Sequence, residues 1–276
     1  MSPLFRYGPG KRLVKLSVTL SWPLMQAAKK LSNVPILKWI INPFFAYPYN
    51  EVTAIPINAE IAMPKSVALP SRIVEEILKR SSDIFILDRC ICRDLLSCKN
   101  HPADIGCMAL GPAARRIHPS HGRFVTVDEG MAHVGRAAEA GLIASIAHTW
   151  IDPVAFWTIP FDRLMFICYC DDCCCLYRTH MKSRGPNLDR AYKKLDGITV
   201  VVDKEKCDGC GVCVERCFVG EMRLVNGVAT VSEGCRGCGR CVEVCPRQAV
   251  RLDLDDMDAL VSRMMERIGA VADIGK

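Results

Sequence analysis

Eight of the chain's 17 cysteines fall into two copies of one spacing near the C-terminal end. The first copy is Cys207-x2-Cys210-x2-Cys213-x3-Cys217. The second, Cys235-x2-Cys238-x2-Cys241-x3-Cys245, runs directly into Pro246. Thiols at every third position of a coiling backbone converge on one centre. A cube of four irons needs one thiolate per corner, and a single tight loop can reach three corners. Gly209, Gly211, Gly237 and Gly239 stand between the cysteines, where the absent Cβ permits φ > 0 and close approach of N–H groups to sulfur. Structural zinc usually draws on two separated cysteine pairs. Disulfides fit poorly with an odd cysteine count that includes adjacent Cys173-Cys174-Cys175. The spacing therefore points to [4Fe–4S] binding.

From Thr199 to about Leu252 the chain resembles the two-cluster bacterial ferredoxins. The run Thr199–Val202 leads into the first cysteine loop. Met222–Val225 and Val228–Val231 flank Asn226-Gly227, a hairpin signal, and Ala249–Leu252 supplies a last strand. The resemblance implies a pseudo-twofold fold holding two [4Fe–4S] clusters, the fourth cysteine of each run crossing to the other cluster. One set is then Cys207, Cys210, Cys213 and Cys245, and the other Cys235, Cys238, Cys241 and Cys217. The family usually has proline after both fourth cysteines, whereas here Cys217 precedes Phe218. That puts the local loop shape in question, not the ligands.

Length and composition allow two domains: 276 residues, 50% apolar and 24% charged. A formal charge of +6 raises nucleic acid as a partner. Each [4Fe–4S]²⁺ core with four thiolates carries a net −2, so two of them lower the total to about +2. No basic stripe interleaved with aromatics is present, and nucleic-acid binding is not expected. Reduced thiols and metal imply a cytoplasmic protein of an organism living with little oxygen.

The N-terminal stretch, residues 1–69, reads as an apolar and basic arm. Leu16–Ala28 is uncharged but interrupted by Pro23, and the run between Lys38 and Glu51 carries Pro43 and Pro48. Both fall short of the ~20 residues of a spanning helix. A signal peptide starting at Lys11-Arg12 is disfavoured, since export would oxidise the thiols. Leu13, Leu16, Leu20, Leu24, Ala27 and Leu31 recur at helical spacing beside Lys11, Arg12, Lys15, Lys29 and Lys30. A helix packed on this protein or on a partner is expected, with peripheral contact at an anionic membrane surface as the alternative.

Nine further cysteines occupy residues 70–185, read as a Cys-rich α/β domain. They form two groups, Cys90-x-Cys92-Arg93-x4-Cys98-x8-Cys107 and Cys168-x-Cys170-x2-Cys173-Cys174-Cys175. Isolated cysteines often serve as small buried apolar residues, but nine in two knots point to metal. Pro70–Arg80 reads as a helix, and Ile84–Leu87 as a strand leading into Cys90. Thr126-x-x-Glu129 caps a helix ending near Gly141. Leu142–Ala147 and Leu164–Ile167 read as strands, the latter running into Cys168. Both groups are thus expected in loops after strands, meeting in space. Cys90, Cys92, Cys98 and Cys107 suit one cluster. Four of Cys168, Cys170, Cys173, Cys174 and Cys175 suit another, or all five surround a non-cubane cluster. From Ala54 to Leu252 the arrangement resembles ferredoxin-containing proteins of anaerobes with a Cys-x-Cys-Arg segment and a cysteine knot. Asp171 stands where such knots often have another cysteine.

Other features carry less. His118-x2-His121 lies in a Pro/Ser/Gly loop and reads as structural. Arg93 either neutralises a buried cluster or is solvated. Trp150 and Trp157 are expected in the core. No P-loop or GxGxxG fingerprint is present. Residues 254–276 form an amphipathic helix, with packing on the ferredoxin domain (196–253) as the expectation. The fold class expected is α+β, a ferredoxin domain appended to the Cys-rich domain. The function expected is electron transfer through two [4Fe–4S] clusters and one or two additional clusters, with a redox partner protein. A reductase acting on a disulfide or thioether at the upstream cysteines is the alternative, and a cluster-assembly scaffold a third.

Overall fold

The structure, a computed structural model, describes residues 6–32, 34–56, 69–178 and 191–275. Its larger sheet is organised by a side-chain period of two. In β6 (Met165–Cys170), Met165, Ile167 and Tyr169 join one apolar cluster, while Phe166, Cys168 and Cys170 join the other. β5 (Ile143–Thr149) divides likewise, with Ala144 and Ile146 against Ile143 and Ala147. The sheet also contains β1 (Asn50–Ile55), β2 (Ile84–Leu87), β3 (Met108–Leu110) and β4 (Gly122–Phe124). Its order is β1-β5-β6-β3-β2-β4, and every neighbouring pair is antiparallel.

This corrects the α/β expectation for the Cys-rich region. The order lacks the parallel crossovers that place loops at the carboxyl ends of strands. β6 also extends through Cys168 and Cys170, so these two cysteines lie on a strand rather than after it. β1, β3 and β4 were not anticipated. β3 and β4 are three residues long, too short to show a period, and β1 (Asn-Glu-Val-Thr-Ala-Ile) is buried throughout despite its polar residues.

Helices pack on both faces of the sheet. Among the helices, α1 spans Lys11–Leu31, α2 Lys38–Ile41, α3 Leu69–Arg80, α4 Ile91–Leu95, α5 Val127–Glu139 and α6 Ile151–Phe156. The capping box at the start of α5 is formed: the Thr126 hydroxyl accepts from Glu129 N at 3.3 Å, and the Glu129 carboxylate accepts from Thr126 N at 2.9 Å. The face of α3 carrying Ile73, Val74, Ile77 and Leu78 packs with Val134 and Ala137 of α5 over β2, β3, β5 and β6.

In the C-terminal region β7 (Ile198–Val202) pairs antiparallel with β10 (Val250–Leu254), and β8 (Met222–Val225) with β9 (Val228–Val231). Asn226 and Gly227 turn the β8–β9 hairpin with φ of 52° and 77°, the signature of a type I′ turn. Short helices α7 (Val212–Glu215) and α8 (Arg240–Glu243) follow Gly211 and Gly239, which share φ 79° and ψ −6°.

The last helix, α9 (Met257–Gly269), does not rest on the ferredoxin strands alone. Leu260, Val261, Met264 and Ile268 join the cluster built on α3 and the larger sheet, together with Ile198 and Leu252. Arg72 of α3 pairs with Asp258, and Arg267 pairs with Glu51 of β1. Helix α9 therefore clamps the C-terminal module to the sheet.

Candidate metal centres

Each cysteine loop of the C-terminal module turns through left-handed glycines. Gly209 has φ +71° and its Cα lies against the Gly227 carbonyl, so no side chain fits there. Cys207, Cys210 and Cys213 line one pocket together with Cys245, the distant fourth cysteine of the other run. Cys217 in turn lies near Cys235, Cys238 and Cys241. Backbone N–H groups of Ala229, Ala249, Glu221 and Gly237 donate to the sulfurs of Cys207, Cys245, Cys217 and Cys235 at 3.4, 3.3, 3.2 and 3.4 Å. Burial pushes the Cys238 thiol up to about 12 and raises Cys241 as well. Thiols held neutral by an apolar setting become thiolates when a cation sits among them. Four sulfurs around one pocket, with N–H donors to them, suit an iron–sulfur cluster.

The upstream cysteines regroup in three dimensions. Cys90, Cys92 and Cys107 of the first set meet Cys168, Cys170 and Cys175 of the second. Cys90 lies beside Cys107 and Cys92, Cys107 also beside Cys168, and Cys170 beside Cys175. The bonds from Cys107 and Cys92, aided by the Arg93 charge, draw the Cys90 thiol well below its ordinary value. The same contacts and burial push Cys92 and Cys107 well above theirs, and the bond to Cys175 with burial does so for Cys170. Cys98 leaves its expected partners entirely and lies beside Cys173 and Cys174. The division into one site from the first four and another from the last five is thus not the one the fold makes.

Arg93 is fully buried, which excludes a solvated loop residue. Its guanidinium donates to the carbonyls of Pro102 at 2.8 Å, Tyr169 at 2.7 Å and Ile105 at 2.5 Å, and lies 3.4 Å from Asp171. Asp171, the apparent departure in the second knot, accepts N–H bonds from Cys173 at 2.9 Å, Cys175 at 3.2 Å and Cys174. An Asx turn of this kind follows from Asp beginning a tight loop, so the signal was present in the sequence. No sequence motif marks Asp152. It accepts from Thr149 Oγ1 at 2.7 Å and Tyr177 Oη at 2.8 Å, and burial raises it to about 6.

The remaining candidates are structural. His118 Nδ1 accepts from Ser120 N at 3.1 Å, and buried His121 contacts the Pro9 carbonyl at 3.0 Å through Nε2. Trp150 is half-buried and bonded to the Phe44 carbonyl. Trp157 is 60% exposed at the left-handed end of α6, contrary to the core position expected for it.

Fold and cysteine geometry define an iron–sulfur protein. Residues 199–246 match the family described as the 4Fe-4S dicluster domain. No curated protein and no solved structure matches the chain. Among the described residues, no helix is long and apolar enough to cross a membrane.

Proposed function

We propose that the chain is an electron-transfer protein in which two [4Fe–4S] sites of the C-terminal module adjoin a further cluster held by Cys90, Cys92, Cys107, Cys168, Cys170 and Cys175. Cys207, Cys210, Cys213 and Cys245 would hold one cluster of the module, and Cys235, Cys238, Cys241 and Cys217 the other. When bound, such clusters supply one-electron redox chemistry. The observation that carries the reading is a shared apolar cluster. Cys217 and Cys238 pack into the same core as Cys168, Cys170 and Cys175, with fully buried Phe218 among them. Arg178, three residues after Cys175, donates to the Phe218 carbonyl at 2.7 Å. The chain thus fixes the two cysteine fields edge to edge in a dry, low-dielectric setting. Arg93 sets a permanent positive charge beside the upstream thiolates, which favours the reduced, more negative state. A redox partner protein supplies the other end.

The alternative, a reductase for a disulfide or other small substrate, requires a reactive centre open to solvent. Four of the six upstream cysteines are buried, which favours the conduit.

Iron and acid-labile sulfide analysis with EPR on anaerobically purified protein tests the reading. About twelve irons per chain with cubane signals are expected, three cubanes of four. About eight would leave the upstream cysteines without a cluster. An upstream signal that shifts on adding small thiols would favour the reductase.

A further inference from the structure

Three sulfurs near the surface stand apart from the other six upstream cysteines. Cys173 Sγ lies 3.3 Å from Cys98 Sγ and 3.4 Å from Cys174 Sγ, and all three fall within 4.8 Å of one another. A tetrahedral ion with metal–sulfur bonds of about 2.3 Å spaces its thiolates roughly 3.8 Å apart. A cubane binds each thiolate through a different iron and spreads the sulfurs more widely. The triad matches the single ion. A ring nitrogen of His101 and a carboxylate oxygen of Asp172 also lie within 4.8 Å of the Cys173 sulfur. His101 Nε2 is 2.9 Å from Asp172 Oδ1, which leaves Nδ1 for a metal in the carboxylate–histidine–metal pattern.

We propose that Cys98, Cys173 and Cys174, with His101 as fourth ligand, bind one thiophilic divalent cation, zinc or ferrous iron, outside any cluster. Soft thiolates with one imidazole select such ions over magnesium or calcium. The ion ties the loop after α4 to the loop after β6. Arg216, next to Cys217, approaches Asp172 Oδ2 at 3.7 Å, so the site abuts the C-terminal module. It stands whether or not the other six upstream cysteines hold a cluster.

Full-length protein purified without oxygen is first analysed for zinc and for iron in excess of sulfide, then titrated with Co²⁺. The expected result is one non-cluster ion per chain, replaceable by cobalt with the thiolate charge-transfer and d–d bands of a tetrahedral site. C98S and C174S weaken cobalt binding about tenfold or more, and H101A shifts the d–d bands, while sulfide content is unchanged. Loss of about four irons with their sulfide in C98S would assign the triad to a cluster and overturn the proposal. Wild-type protein with neither a non-cluster ion nor cobalt uptake would overturn it too.

A separate observation concerns α1. Val14 and Val18 face the protein, whereas Leu13, Leu16, Leu20 and Leu24 face outward, the last two 68% and 73% exposed. Among the described residues, none covers the leucine stripe. Trp39 and Ile40 of α2 are exposed as well. Residues 1–50 contain seven Lys or Arg and no Asp or Glu. Exposed leucines and tryptophan in a purely cationic segment complement an anionic bilayer surface. We infer that α1 lies on anionic lipid through its leucine face. Full-length protein should float with phosphatidylglycerol-containing vesicles, less so with pure phosphatidylcholine and at high salt. Replacing Leu20 and Leu24 together by Asp should reduce flotation about tenfold or more. Equal binding by wild type and variant, or no binding by wild type, would overturn the inference. A dimer made monomeric by the variant, without vesicle binding, would identify a second copy as the occupant and overturn it as well.

Discussion

Arg93 and Asp171, one from each upstream cysteine group, face each other at 3.4 Å with almost no solvent exposure. The pair joins segments 78 residues apart and orients both. Arg93 braces the loop ending at Cys107, and Asp171 gathers the amides of Cys173 to Cys175. A buried ion pair of this kind is retained at a desolvation cost, and removing one partner strands the other.

Arg93→Met leaves three carbonyls without their guanidinium donor and the Asp171 carboxylate without its counter-charge. A loss of about 3–5 kcal/mol is expected, with release of upstream iron before that of the C-terminal module. Arg93→Lys keeps the charge but not the planar fork, and its loss should be intermediate. Thermal denaturation followed by iron analysis checks both.

Cys245→Ser should damage the cluster held by Cys207, Cys210 and Cys213 more than the one held by Cys235, Cys238 and Cys241. The reason is that Cys245 lines the first pocket rather than the one beside it in sequence. EPR of the paired variants Cys245→Ser and Cys217→Ser should show loss of different signals. Loss of the same signal in both would contradict the crossed assignment.

Gly209→Ala places a Cβ against the Gly227 carbonyl in a backbone of φ +71°. Left-handed strain alone costs about 1–2 kcal/mol, and the overlap with a rigid backbone adds to it. Reduced iron occupancy is expected in this variant. The comparison is Gly227→Ala, which meets nothing within 4 Å and should bear only the conformational strain.

Arg267→Met tests the clamp between α9 and β1. Burial already raises the Glu51 carboxyl above its ordinary value, against the opposing pull of Arg267. A folded-state value above the unfolded one means that the native protein holds this proton more tightly, so stability falls as pH rises between the two. Without Arg267 the gap widens. The variant should lose about 3–5 kcal/mol near pH 8 and progressively less as the pH falls and Glu51 takes up its proton. A deficit independent of pH in urea titrations would rule out Glu51 as the cause.

Local chemistry was legible where neighbours in sequence carry it. The capping box of Thr126 and Glu129, the strand Ile84–Leu87, the hairpin at Asn226-Gly227 and the cysteine spacing all depend on residues a few positions apart. Trp157 misled because an apolar side chain says nothing about whether its helix end faces solvent. The antiparallel sheet was not legible either, since β3 and β4 are three-residue strands whose pairing depends on distant partners.

The amino-acid order alone determined that residues 199–246 would build a [4Fe–4S]-type module, because a thiol at every third position confines the ligands to one tight loop. Which upstream thiols share a site was decided only by the tertiary structure. The pleat sends Cys168 and Cys170 to one face of β6, where Cys92 and Cys107 pack with them, and the buried Arg93–Asp171 pair joins the two segments. Cys98 is left to meet Cys173 and Cys174. Contacts across some 70 residues depend on strand pairing and burial, which local spacing does not encode.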